Sequence, residues 1–152
     1  IRSLGVKLKL NSTKTIVKNK SIILIDDSLV RGTTCLKIVK MLFESGAKEV
    51  HVRIACPEIK YPDFYGVDMP TKEELLAHSR NNGEMCEYIN ASSLKFLSLQ
   101  GLYRALVSEE RNSSYPQFSD HYFTGDYPIK PIDKIEGINV KQLSLLSGKS
   151  NS

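Results

Sequence analysis

The sequence predicts an α/β fold: about three parallel strands with helices on both faces, a basic amino-terminal strand and an irregular carboxyl-terminal segment. Three observations carry that prediction. Ile22, Ile23, Leu24 and Ile25 are consecutive branched apolar residues without alternation, the pattern of a parallel strand covered on both faces. Leu36, Ile38, Val39, Leu42 and Phe43 then recur at helical spacing. Val50, Val52 and Ile54, with Ala55, make the next strand, so strand, helix and strand form a unit whose expected connection is right-handed.

From Ile1 to Lys20 there are basic residues (Arg2, Lys7, Lys9, Lys14, Lys18, Lys20) and no acid. Val6, Leu8 and Leu10 alternate with Lys7 and Lys9, which predicts a strand with one wet face. The charge suits either a solvated face or a field that draws in a polyanion. No aromatic residue is interleaved with it and no recognised binding motif follows, which argues against nucleic acid. Asn19 and Lys20 punctuate before the first apolar strand, and Gly46 stands just past the end of the first helix. His51 and Arg53 interrupt one face of the second strand and predict an edge or half-covered position.

Between Cys56 and Pro70 lies a loop rich in Pro, Tyr and Asp, with Tyr61 and Asp68 as secondary ligand-contact candidates. Thr71 with Glu74 three residues on is a capping box that predicts a helix over Lys72–Ser79, and Gly83–Asn90 a second. Leu94–Leu99 reads as a third strand and Gln100–Glu110 as the helix after it. These elements place a domain over residues 1–110, and residues 111–152 as an irregular segment and tail to which no function is assigned.

At 152 residues, with 41% hydrophobic and 25% charged side chains and a net charge of +4, the chain fits one soluble domain with its own core. No apolar run is long enough to cross a membrane, and no signal peptide is expected. The chain starts at Ile1 rather than Met, as expected of a piece of something longer. Cys35, Cys56 and Cys86 are widely spaced, lie on or beside apolar segments and form no CxxC pair. That pattern predicts buried thiols in the reducing cytoplasm and argues against a cysteine metal site.

The chemistry concentrates where the first strand ends. Asp26 and Asp27 follow it without a spacer, then Ser28, Arg31, Gly32, Thr33 and Thr34 lead into the helix. Adjacent carboxylates at the carboxyl end of a parallel strand lie where open α/β sheets bind ligands; they can accept hydrogen bonds from vicinal sugar hydroxyls or hold Mg²⁺. Gly32 allows close backbone approach, and the hydroxyls beside unpaired N–H groups of a helix start can cradle a phosphate. An Asp or Ser before a helix is by itself only a cap, and Gly-Thr-Thr by itself only a turn. The whole string after a fully apolar strand points to a phosphorylated sugar.

This string, IILIDDSLVRGTTC over residues 22–35, resembles the phosphoribosyl pyrophosphate (PRPP) binding motif of type I phosphoribosyltransferases. With VKLKLN at 6–11, the block at 44–78 and FTGDYP at 123–128, residues 1 to about 130 resemble the carboxyl-terminal part of amidophosphoribosyltransferases. The resemblance implies part of a Rossmann-like parallel sheet, and an enzyme that makes phosphoribosylamine from PRPP and glutamine in purine biosynthesis. It implies Asp26 and Asp27 as the catalytic, ribose- and Mg²⁺-binding pair, and Ser28, Arg31, Gly32, Thr33 and Thr34 as phosphate ligands, with AMP or GMP able to occupy the same pocket. Some members hold an iron–sulfur cluster through cysteines where this chain has Asp63, Ser119 and Tyr122, so no cluster is expected.

The glutaminase cysteine, the pyrophosphate loop and the closing loop of the family fall outside these 152 residues. The chain alone is therefore expected to be inactive, and to need the amino-terminal half of such an enzyme or a second copy. Cys35 is no substitute nucleophile, having no His at a useful sequence distance. A module that senses PRPP or purine nucleotides without turnover is the alternative. A response-regulator receiver domain is a further one, but it requires an Asp after a later strand, where this chain has Cys56-Pro57-Glu58 and Gln100-Gly101.

Overall fold

Residues 14–107 and 110–129 are described by the computed structural model. The elements are α1 (Lys14–Val17), β1 (Ser21–Asp26), α2 (Thr33–Glu44), β2 (Glu49–Ile54), a 3-10 turn (Lys72–Glu74), α3 (Leu76–Ser79), α4 (Asn82–Tyr88), β3 (Ser93–Phe96), α5 (Leu99–Val107) and α6 (His121–Thr124). The strands form one parallel sheet in the order β1-β2-β3, with Leu24 opposite Val52 and Val52 opposite Leu94. The α/β class and the parallel strands agree with the sequence. The expected strand around Val6–Leu10 and the tail from 130 lie outside the described residues. Among the described residues no helix is long and apolar enough to cross a membrane.

One face of the sheet carries the core. Ile22, Leu24, Val50, Val52, Ile54 and Leu94 pack there with Leu29, with Val39 and Leu42 of α2, with Leu76 of α3, with Met85 of α4 and with Ile89 just past its end. On the other face Ile23 is 65% and Ile25 73% exposed, next to half-buried His51 and Arg53. The unbroken apolar run of β1 had predicted cover on both sides. Its burial in fact alternates, because the described helices cover only one face there. β2 is the central strand, so His51 and Arg53 mark a half-covered face rather than an edge. They form a polar ladder in which Arg53 donates to Ser93 Oγ at 3.0 Å and His51 Nδ1 lies 2.9 Å from the same oxygen.

Several boundaries differ from the sequence expectation for local reasons. The capping box of Thr71 and Glu74 forms, but the helix stops at Leu75, whose backbone is extended (φ −73°, ψ 117°). Leu76 then donates its N–H to Val30 O at 2.9 Å, which diverts the chain toward the turn after β1 before α3 begins. α4 starts at Asn82 rather than Gly83 because Asn81 and Glu84 form a second capping box. β3 ends at Phe96, not Leu99: Ser98 Oγ accepts from Gly101 N at 3.0 Å and starts α5 at Leu99. Glu110 lies outside any helix. α1 was not expected; its Val17, 3% exposed, reaches the core and holds a turn that Thr15, Ile16 and Val17 do not favour locally.

Residues 111–129 fold back through two buried carboxylates. Asp120 accepts from Tyr103 Oη at 2.8 Å, from Arg111 Nε and Nη2, and from Thr124 Oγ1 at 3.1 Å. Asp63 accepts from the N–H groups of Tyr65 and Val67, each at 2.8 Å, from His121 Nε2 at 2.8 Å and from Tyr122 Oη at 3.0 Å. Ser119 Oγ lies 3.0 Å from His121 Nδ1, so the three positions where some relatives were expected to carry cysteines meet in one polar cluster.

Burial alone would raise the Asp63 carboxyl, but these N–H and O–H donors hold it at about 2, below its ordinary 3.8. A carboxyl depressed in the folded state stabilises above its unfolded value and loses that contribution as pH falls through the folded one. Tyrosine fluorescence should therefore show residues 119–129 loosening between about pH 4 and 2. Asp63→Asn should shrink that step, leaving the part contributed by Asp120, whose carboxyl Arg111 and Tyr103 also hold below its ordinary value.

Candidate functional site

The carboxyl end of β1 opens into a concavity of about 460 Å³ lined by the continuous stretch from Asp26 to Cys35. All seven residues singled out from sequence (Asp26, Asp27, Ser28, Arg31, Gly32, Thr33 and Thr34) line it. Tyr61 and Asp68 do not. Tyr61 instead packs on Gly125, and Asp68 is exposed on the loop.

Local hydrogen bonds set the turn. Asp26 O accepts from Ala55 N at 2.9 Å, tying the end of β1 to the residue after β2. Asp27 N donates to Asp26 Oδ1 at 3.1 Å, and Ser28 N to Asp27 Oδ1 at 2.8 Å, so each carboxylate is oriented by the next amide. Gly32 has φ 75°, a left-handed conformation that a side chain strains, and its carbonyl accepts the helical bond from Leu36 N at 2.9 Å. A Cβ there would sit 2.8 Å from Leu76 Cδ2 and 2.9 Å from Tyr88 Cε1, so α3 and α4 press on the turn from behind. Asp27, Arg31, Thr33 and Thr34 are exposed around it, and no side chain caps the start of the 12-residue α2.

The electrostatics are acidic. Burial raises the Asp26 carboxyl, the Asp27 amide opposes this, and the Asp27 carboxylate adds to the rise. Cys35 is pushed up to about 11 by burial and then by Asp26, so its thiol stays protonated and non-nucleophilic at neutral pH. Arg31 is the single basic residue of the lining, and its Nη2 lies 3.1 Å from Glu74 Oε1. Among the described residues no three His, Cys, Asp or Glu side chains gather around one metal position. The acid pair is a partial donor set, of the kind that binds Mg²⁺ jointly with ligand phosphates and water.

Sequence reasoning had not assigned Glu74, Leu76 or Tyr88 to this site. The Thr71–Glu74 spacing was visible, but it read only as a helix start.

No family model matches the chain. It is 52% identical over 148 residues to amidophosphoribosyltransferase of Rhizobium etli, covering 97% of this chain and 30% of that protein. It is 48% identical to the Staphylococcus aureus (strain N315) enzyme of the same name, over 84% of this chain and 26% of that one. Amidophosphoribosyltransferase 2, chloroplastic, of Arabidopsis thaliana is 45% identical over 90% of this chain and 24% of its own length. Among solved structures, the glutamine PRPP amidotransferase of B. subtilis, complexed with ADP and GMP, superposes with a TM-score of 0.68 at 43% identity, over 76% of this chain and 25% of that one. The chain thus spans about a quarter to a third of the length of these relatives. In sequence and in fold, then, this chain is a homologue of part of amidophosphoribosyltransferase.

Proposed function

We propose that this chain is the phosphoribosyl-binding part of an amidophosphoribosyltransferase, an enzyme that transfers glutamine-derived ammonia to PRPP and gives 5-phosphoribosylamine in purine biosynthesis. The observation that carries the proposal is the turn itself: one concavity joins an oriented acid pair, hydroxyls and an uncapped helix start on consecutive residues. Asp26 and Asp27 accept hydrogen bonds from the ribose hydroxyls. Ser28, Thr33, Thr34 and the first amides of α2 receive the 5-phosphate, with Arg31 at its edge and Gly32 clearing the approach.

Charge makes a cation part of this reading. The lining holds two carboxylates and one guanidinium, and that guanidinium is already paired with a third carboxylate on Glu74, so a polyanionic ligand meets net repulsion there. Mg²⁺ between Asp26, Asp27 and the ligand would neutralise that field and the charge developing on departing pyrophosphate. The protein's own contribution is to hold the sugar in place and to set carboxylates beside the positive charge that grows on the ring as the bond to pyrophosphate lengthens.

The ADP and GMP bound in the B. subtilis relative support AMP or GMP as further ligands of this chain. The open sheet face at Ile23 and Ile25 supports a need for more polypeptide, from the rest of such an enzyme or a second copy. The free cysteines support a reducing, cytoplasmic setting.

Calorimetric titration of the chain with PRPP and Mg²⁺, repeated with AMP and with GMP, tests the proposal. Saturable, Mg²⁺-dependent binding is expected, and Asp27→Asn should weaken it about tenfold or more, the value of a charged hydrogen bond. Unchanged binding in that variant would remove Asp27 from the site. Binding without turnover, even after the rest of such an enzyme is supplied, would favour a sensing module.

A further inference from the structure

Glu74 stands outside the turn, yet it meets Arg31 directly and the segment that carries it is tied to the turn through Leu76. Its Oε1 lies 3.1 Å from Arg31 Nη2. Its Oε2 accepts from Thr71 N at 3.1 Å, which pins the carboxylate to the 3-10 turn. That turn leads directly into the Leu76 N–H bond to Val30 O, and Leu76 Cδ2 presses on Gly32. The segment bearing Glu74 is therefore attached to the residues on either side of Arg31. A carboxylate on a free loop could swing away when an anion arrives. Held by its cap, this one stays. The Arg31 and Thr71 hydrogen bonds keep its carboxyl below the ordinary glutamate range, so it is ionised at neutral pH.

Resting on the phosphate-binding reading of the turn, we infer that Glu74 is a specificity-determining residue: a resident carboxylate that shares Arg31 with the incoming phosphate and makes the site select ligands that arrive with a divalent cation. Arg31 is the one cation of the lining, and its guanidinium presents five donors, of which Glu74 engages those on Nη2. A phosphate can take the remaining edge, but it then sits close to the Glu74 charge as well as to Asp26 and Asp27. For a bare phosphate monoester this repulsion opposes the attraction of Arg31. With Mg²⁺ on the acid pair much of the opposing field is gone. Glu74 thus penalises the metal-free ligand more than the metal-loaded one, which is discrimination by repulsion rather than by added contact.

The test is titration of the 152-residue chain with AMP, once in EDTA and once in Mg²⁺, comparing wild type with Glu74→Gln and Glu74→Asp. Glu74→Gln should bind AMP about two- to fivefold more tightly in EDTA, the range of an exposed charge interaction, with a smaller gain in Mg²⁺. Glu74→Asp keeps the charge and should stay within about twofold of wild type in both. Circular dichroism melting controls for folding. A gain in affinity by Glu74→Gln that is larger in EDTA than in Mg²⁺ establishes the inference. An equal gain in both arms, or equal or weaker binding by Glu74→Gln, overturns it and leaves the phosphate site standing. If wild type binds AMP in neither condition, the phosphate-binding reading fails and this inference falls with it.

Discussion

Asp120→Ala should cost about 3–5 kcal/mol, the penalty for removing one partner of a buried ion pair. Asp120 is 3% exposed and gathers Tyr103, Arg111 and Thr124 around one carboxylate. Burial alone would raise its carboxyl, but Arg111 and Tyr103 hold it low, so the charge is stabilised only because its donors are present. Alanine leaves the Tyr103 hydroxyl and much of the Arg111 guanidinium inside the protein without an acceptor. Arg111 keeps its 2.8 Å bond to Asp126, but that carboxylate is exposed and compensates little. Because Tyr103 is the buried residue of α5, the loss should loosen α5 and the segment from 111 to 129 together. Denaturant titration would show a lower midpoint, and limited proteolysis would show early cleavage after Arg111. An unchanged midpoint would mean that α5 is held by apolar contact alone.

Gly32→Ala should combine a stability loss of about 2–4 kcal/mol with loss of ligand binding. Part of the cost is the left-handed backbone at φ 75°, which disfavours any Cβ by about 1–2 kcal/mol. The rest comes from atoms already in place, since the new methyl would approach Leu76 Cδ2 and the Tyr88 ring within 3 Å. Relief requires the Leu76 methyl and the Tyr88 ring to move, and any part of that shift passed to the Leu76 backbone pulls on its bond to Val30 beside Arg31. AMP titration and thermal melting of the same variant separate the two effects. Full retention of binding would show that the turn adapts around a side chain.

How much of this was legible beforehand follows chain separation. Asp26 to Thr34 form the site from consecutive residues, and a contiguous motif needs no knowledge of the fold to be seen. Glu74, Leu76 and Tyr88 enter only because the chain returns to the turn after a long loop, and nothing in Thr71-Lys72-Glu73-Glu74 marks that return. The helix expected over Lys72–Ser79 was half right for the same reason. Its capping box formed, and a bond to distant Val30 then broke the helix.

The strand at Ile22–Ile25 shows a different limit. Its composition announced a parallel strand correctly, but four apolar residues in a row do not say which faces are covered within this stretch of chain. Asp63, Ser119 and Tyr122 were singled out separately by resemblance. Their meeting around His121, which sequence left unmarked, depends on the fold-back of residues 111–129.

The one-sided core has a thermodynamic consequence. The heat-capacity increment of unfolding grows with the apolar area that folding removes from water. Among the described residues the sheet is packed on one face, with Ile23 and Ile25 already hydrated, and so has less such area to expose per residue than a doubly covered sheet. Its stability should therefore vary with temperature along a shallower, broader curve, with heat and cold denaturation spaced further apart than a doubly covered sheet of equal maximum stability would have them.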